Sequence, residues 1–180
     1  MKGEITLTNP ILEALENRRS IKKFKDEQVD REALMAILRA GTYAATGRNL
    51  QSPVIVAIQD KATVETLRRM NAAIMGNPNM DPFYGAPTVV VVLADADVGT
   101  CVEDGSLVIG NMMNAAYSVG VDSCWIHRAR EEFESEEGRA LLEKWGIKGN
   151  YVGVGHLILG YRDCDYPEAR PRKEGYVYII

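Results

Sequence analysis

The stretch Leu107-Val-Ile-Gly-Asn-Met-Met-Asn-Ala-Ala-Tyr-Ser-Val-Gly120 is apolar or small on almost every side. It lies in a segment, Glu103 to Val119, that reads as one helix. A helix on the surface of a globular protein carries a polar face. A helix without one must be covered all round, which is hard to arrange inside a single small domain. A second copy of the chain is therefore expected, with this helix at the heart of a homodimer. The other arrangement such a helix allows is the central core of a monomer.

Strand signals surround it. Thr88 to Ala94 (TVVVVLA) is a continuous β-branched run, expected as a strand buried on both faces. Val54 to Ile58, Val121 to Ile126 and the glycine-punctuated Tyr151 to Leu159 read as further strands. Helices alternate with them. Asn9 caps a helix that opens at Pro10 and runs to about Asn17. Asp30 caps another, with Val29 and Leu34 at hydrophobic-staple spacing and Leu34, Ile37, Leu38 and Gly41 on one face. Thr63 to Met75 and Glu134 to Trp145 complete the set, and the breaker-rich loop Gly76 to Pro82 follows the former. Such alternation taken alone suggests a parallel sheet. The apolar tail Tyr176 to Ile180 (YVYII) is expected to add a strand to a sheet edge, this chain's own or a partner's.

The chain has 180 residues, with 21 Lys plus Arg against 25 Asp plus Glu, a formal net charge of −4. Its length predicts one domain, residues 1–180. With 46% hydrophobic and 26% charged residues it is no disordered chain. Its acidity argues against nucleic acid or an anionic membrane as partner. No apolar run is long enough to span a membrane, and residues 1–7 lack the apolar core of a signal peptide. The three cysteines, Cys101, Cys124 and Cys164, form no disulfide framework, so a reducing cytoplasm is the simplest setting. His127 and His156 are the only histidines, and no metal-ligand spacing is present.

Four segments could carry chemistry. Arg18-Arg19-Ser20-Ile21-Lys22-Lys23 offers two guanidinium forks and a hydroxyl, the donors a phosphate needs. A solvated basic run has the same composition. Arg170-Pro171-Arg172-Lys173 is a second basic cluster, whose two arginines point the same way if the segment is extended; one anion shared between the clusters, or a plain soluble tail, fits it. Thr46-Gly-Arg-Asn49-Leu-Gln51-Ser-Pro53 carries two amides that suit the edge of a heterocycle, or forms an ordinary turn. Ser123-Cys-Trp125-Ile126-His127-Arg128 stands at a strand's carboxyl end, where ligands bind in open sheets. Trp125 could cover an aromatic ring or fill core, and Cys124 is a redox thiol or a buried structural one.

In this order the segments resemble the FMN-dependent nitroreductase family. ALENRRSIKKF, ATGRNLQSP, FYGAPTVVVVLAD, NMMNAAYSVGVDSCW and GHLILGY…RPRK carry the resemblance, over nearly the whole chain. It implies an α+β, three-layer fold: a mostly antiparallel central sheet flanked by helices, in an intertwined homodimer. Two FMN molecules would sit at the dimer interface, and the C-terminal strand would extend onto the partner.

By the same resemblance, Arg18, Arg19 and Ser20 contact the FMN phosphate and ribityl chain, and Lys22 approaches the flavin N1–C2 carbonyl region. Arg170 and Arg172 close on the phosphate. Asn49 and Gln51 match the family's Asn-x-Gln, which lies near the partner's flavin. Trp125, Ile126, His127 and Arg128 pass the isoalloxazine face and its N5. No side chain is implied as a catalytic acid or base, and no metal.

Two departures stand out. Gln51-Ser52-Pro53 replaces a frequent Gln-Pro-Trp. His127-Arg128 replaces the Glu-Gly of better-known members, in which a backbone N–H lies near flavin N5. The loop Gly76 to Pro82, with Asn77 and Asn79, would form part of a minimal cover. The implied activity is ping-pong transfer from NADH or NADPH through FMN to a nitroaromatic, quinone or similar small-molecule acceptor. The alternatives are a specialised relative (flavin reductase, dehalogenase or biosynthetic oxidase), a flavin-binding protein without turnover, or a phosphate-ligand module unrelated to flavin.

Overall fold

The structure is a computed structural model that describes residues 7–180. Nearly all of the amino-terminal stretch weighed above as a targeting segment lies outside the described residues.

Four strands, β1 (Pro53–Ile58), β2 (Thr88–Asp95), β3 (Asp122–Ile126) and β4 (Tyr151–Gly160), pair in the order β1-β2-β4-β3. Every pairing is antiparallel, so the parallel sheet suggested by alternation is not what forms, and the fold is α+β. The β-branched run of β2 is buried on both faces, as its composition demands. Val89, Val91 and Leu93 face one apolar cluster, while Val90, Val92 and Ala94 face another.

Helices cover both faces. The first cluster takes Leu67 and Met70 from α3 (Lys61–Ile74), Ala129 and Phe133 from α5 (Ala129–Glu134), and Leu142 from α6 (Glu136–Lys144). The second takes Leu34 and Ile37 from α2 (Arg31–Thr42) and Val108, Ile109, Met112 and Ala116 from α4 (Cys101–Ser118). The short α1 (Pro10–Asn17) leads into the site segment. The caps read from sequence form: Asn9 Oδ1 accepts from the amides of Ile11 and Leu12, and Asp30 Oδ2 from those of Glu32 and Ala33.

The glycines of β4 allow two close approaches. A Cβ on Gly153 would meet the backbone carbonyl oxygen of Ala129 at 2.1 Å, so α5 lies directly on the strand. A Cβ on Gly155 would meet the Trp125 indole at 2.8 Å. Between them β4 is bulged opposite Val92 and Leu93.

The structure adds one helix, narrows the reading of the tail and leaves α4 partly open. The helix expected over Glu134 to Trp145 forms as α6, and a short helix that was not expected, α5, precedes it. Ser135 is extended (φ −71°, ψ 162°), ending one and capping the other by accepting from the Gly138 amide. The tail Tyr176 to Ile180 forms no strand with this chain and lies exposed, so docking on its own sheet is ruled out. Finally, one chain does not wrap α4. Val108, Ile109, Met112 and Ala116 are buried, whereas Leu107 is 50% exposed and Gly110, Asn114 and Tyr117 are only half-buried.

Candidate functional site

The chain leaves α1 in extended form and runs alongside the edge strand β3. Ser20 bridges Ser123 in parallel fashion, and the Ile21 amide donates to the Ser123 carbonyl at 3.1 Å. Ile21 and Phe24 bury their side chains, which anchors the run. Between them, Lys23 pairs with Asp163 at 3.0 Å and Lys22 lines a cleft with Cys124 to Arg128. Tyr166 fastens the start of the segment: its hydroxyl accepts from the Arg19 amide at 3.0 Å and donates to the Asn17 carbonyl at 2.9 Å. Burial pushes its phenol up from the ordinary value, so it stays a donor.

Within the basic cluster the guanidiniums are partly unsatisfied. Arg19 Nη1 donates to the carbonyls of Glu16 and Arg18, but Arg19 Nε and Arg18 Nη1 are buried with no acceptor among the described residues. Buried donors without partners are uncommon and costly. Two on adjacent arginines leave donors that an anion could satisfy.

Lys22 faces a cleft of ≈ 270 Å³ whose wall is the Cys124–Arg128 segment. Its ammonium lies 5.8 Å from the centroid of the Tyr84 ring. Sequence reasoning placed Lys22, Trp125, Ile126, His127 and Arg128 together, and they are together. It missed Asn71, Met75 and Tyr84, which also line the cleft, together with Met80 and Pro82 of the loop expected as cover. One signal could have found Asn71: it sits on the apolar stripe Val64, Leu67, Asn71, Ile74 of α3, where a polar residue is out of place.

Trp125 lines the cleft while its indole packs over Gly155 and the α4-side cluster, so it serves as core as well. Arg128 adopts left-handed torsions (φ 80°) at the start of α5 and pairs with Glu131 at 2.9 Å. Cys124 is buried beneath the segment. Burial pushes its thiol up from 9.0, outweighing the opposing influence of Ser20, Lys22 and Arg18. It is a neutral, structural cysteine rather than a thiolate.

Other expected residues lie elsewhere. Asn49 and Gln51 are exposed, 3.4 Å apart, in a turn where Arg48, Asn49 and Gln51 all have positive φ (53°, 56° and 52°). The buried Asp104 of α4 anchors this turn by accepting from the Gly47 amide at 2.9 Å. Gln51 lines a separate cleft of ≈ 280 Å³ with Gly41, Ile55 and Val108, which shares no residue with the Lys22 cleft. Arg170 and Arg172 lie in the exposed tail, where the Arg172 side chain donates to the Arg170 carbonyl. One chain brings neither pair to the N-terminal arginines. Among the described residues no group of side chains has the make-up of a metal site, and no helix is long and apolar enough to cross a membrane.

Comparison with known proteins gives one consistent result. The model of the nitroreductase family matches residues 15–161. An NADH dehydrogenase of Thermus thermophilus is 34% identical over 155 residues, covering 84% of this chain and 69% of its own length. A provisionally named NADH dehydrogenase/NAD(P)H nitroreductase of Archaeoglobus fulgidus is 29% identical over 168 residues, 89% of this chain and 91% of that one. The crystal structure of a nitroreductase with bound FMN from Bacteroides fragilis superposes with a TM-score of 0.88 at 28% identity, covering 96% of this chain and 100% of that one. The matched region runs from α1 past the end of β4 and takes in both the sheet and the wall of the cleft; the chain belongs to the nitroreductase family.

Proposed function

We propose that this protein is an FMN-dependent oxidoreductase that takes electrons from NADH or NADPH and reduces nitroaromatic, quinone or similar electron-poor acceptors, working as a homodimer. The observation that carries this reading is the pair of buried, acceptor-less guanidinium nitrogens on Arg18 and Arg19, beside a cleft that also holds the Lys22 cation. These groups fit FMN: the arginines and Ser20 suit its phosphate and ribityl chain, and Lys22 its electron-rich pyrimidine edge. FMN, when bound, supplies the redox chemistry.

The protein's share is binding, orientation and charge. Lys22 offers a positive charge against the negative charge of reduced flavin. Tyr166 holds the Arg19 backbone in place. Met75, Met80 and Tyr84 give the cleft an apolar side on which a flat acceptor or a nicotinamide can lie. No side-chain acid or base is needed, so a single open cleft serves donor and acceptor in turn, with ping-pong kinetics.

The dimer rests on what one chain leaves undone. The clefts of ≈ 270 and ≈ 280 Å³ each fall below the ~300–1,000 Å³ of small-molecule sites. A second copy that covered the open face of α4 would bring Asn49 and Gln51 to the neighbouring flavin. It would also give the apolar tail, with Arg170 and Arg172, a surface to occupy. Three free cysteines suit a reducing cytoplasm. A specialised acceptor is the second reading, favoured by the exposed His127 and Arg128 at the cleft wall.

The test is an absorbance spectrum of the purified protein before and after anaerobic NADH, then NADPH. Flavin bands that bleach with either nucleotide, and return on adding a quinone, support the proposal. Bands that neither nucleotide bleaches exclude it in favour of flavin binding without turnover. A protein that takes up no FMN excludes the flavin altogether.

A further inference from the structure

Behind the cleft lies a chain of three polar side chains from three different elements. His156 of β4, Glu132 of α5 and Asn71 of α3 are each fully buried. His156 Nε2 lies 3.0 Å from Glu132 Oε2. Asn71 Nδ2 donates to Glu132 Oε1 at 2.6 Å and to the backbone carbonyl of His127 at 2.8 Å. Phe83 and Phe133 flank the imidazole, with ring centroids 5.5 and 6.4 Å away.

Stability alone does not call for such an arrangement. Buried ionisable pairs contribute little more than well-packed apolar groups of equal volume, and often less. What this one gains is control of a single peptide group. A trans peptide is planar, so its C=O and N–H point in opposite directions. With the His127 carbonyl drawn inward to Asn71, the N–H of Arg128 is turned outward, toward the cleft that both residues line. That N–H finds no acceptor among the described residues. Arg128 is also held at φ 80°, a conformation a bulky side chain adopts only when its surroundings enforce it.

We propose that Asn71, oriented by Glu132 with His156 packed 3.0 Å behind it, is a positioning residue that fixes the His127–Arg128 peptide with its N–H facing the cleft, as a hydrogen-bond donor to the N5 edge of a bound flavin. The inference rests on the flavin reading above and extends it. It assigns the aiming of that amide to a buried network on the far side of the peptide, two of whose members, Glu132 and His156, do not line the cleft.

The test compares the affinity of the apoprotein for FMN with that for 5-deaza-FMN, which carries a C–H in place of the N5 acceptor. The wild-type protein is expected to prefer FMN by about fivefold, the worth of one ordinary hydrogen bond. Asn71→Ala is expected to bring the preference to about one, whereas Glu132→Gln, which can still accept from Asn71, retains it. Asn71→Ser, a gentler change whose side chain is too short to reach the carbonyl, is expected to behave like Asn71→Ala and stands in for it should that variant fold poorly. A merely structural role would weaken both flavins equally and leave the ratio unchanged, which would overturn the proposal. Wild-type protein that binds both flavins equally would overturn it too, with the flavin reading intact. Failure to bind either flavin would instead remove the reading on which the proposal rests.

Discussion

The chain carries two pairs of arginines, and the fold treats them differently. Arg18 and Arg19 are half-buried, fastened to β3 and to Tyr166, and each retains a buried nitrogen without a partner. Arg170 and Arg172 lie on an exposed tail and turn back on their own backbone. For the first pair orientation and desolvation are supplied by the monomer, so the anion proposed above would meet donors already in place. The second pair has the right chemistry and no frame. The same contrast runs through the tail, whose apolar residues Tyr176 to Ile180 form no strand with this chain. In the proposed dimer, the partner would supply their frame.

The strongest way to break this comparison is to remove the unframed half. Deleting residues 167–180 is expected to convert a dimer to monomers and to weaken FMN binding by roughly 100-fold or more, the loss of two charge-assisted contacts. Light scattering and a fluorescence titration would read the two effects. A truncated protein that stays dimeric and keeps its flavin would show that the tail closes nothing. Single substitutions come next. Arg18→Ala is expected to cost about 10- to 100-fold in FMN affinity at any protein concentration. Arg172→Ala should match it in the dimer and cost nothing in dilute monomer, because only the first pair belongs to a site built by one chain. Equal losses at every concentration would erase the distinction.

Sequence reasoning saw the framed half clearly because its signals are local. The caps Asn9 and Asp30, the β-branched run of β2 and the Arg18–Lys22 segment each declare themselves within a few residues. What it missed depends on contacts far apart in the chain. The short α5 has no apolar repeat long enough to announce it, and its place shows only where Ala129 meets Gly153 of β4. Tyr166 reaches the N-terminal cluster from 147 residues away, and Asn71 meets Glu132 across 61. The tail misled for the opposite reason: its β-forming composition is real, but it pairs with neither edge strand of this chain, β1 or β3. The antiparallel sheet followed from the family resemblance, whereas alternation alone pointed the wrong way.

Tyr166 sharpens the comparison at smaller scale, because it ties the carboxyl-terminal region to the framed cluster within one chain. Tyr166→Phe removes a hydroxyl that serves both the Arg19 amide and the Asn17 carbonyl. The expected loss is about 1 kcal/mol, or a melting temperature lower by about 2–4 °C. FMN affinity should fall as well, because Arg19 loses its backbone anchor; a calorimetric scan with and without FMN separates the two.

The smallest effect tests whether the framed cations are aimed at the cleft or at the protein beneath them. Cys124 lies under Ser20, Lys22 and Arg18, which act to lower its thiol, yet burial wins and raises it above 9.0. The folded state thus keeps this proton at pH values where the unfolded chain has released it. The unfolded state then binds fewer protons, and stability must fall as pH rises above 9.0. Between pH 8 and pH 10 the wild-type protein is expected to lose about 1 kcal/mol more than Cys124→Ala, read from denaturant midpoints. At pH 7 the thiol should resist alkylation until the protein unfolds. A smaller loss in the wild-type protein than in Cys124→Ala, with rapid labelling at pH 7, would mean that Lys22 and Arg18 hold a thiolate beneath the cleft, and the cations credited to the phosphate and flavin would have a partner within the chain.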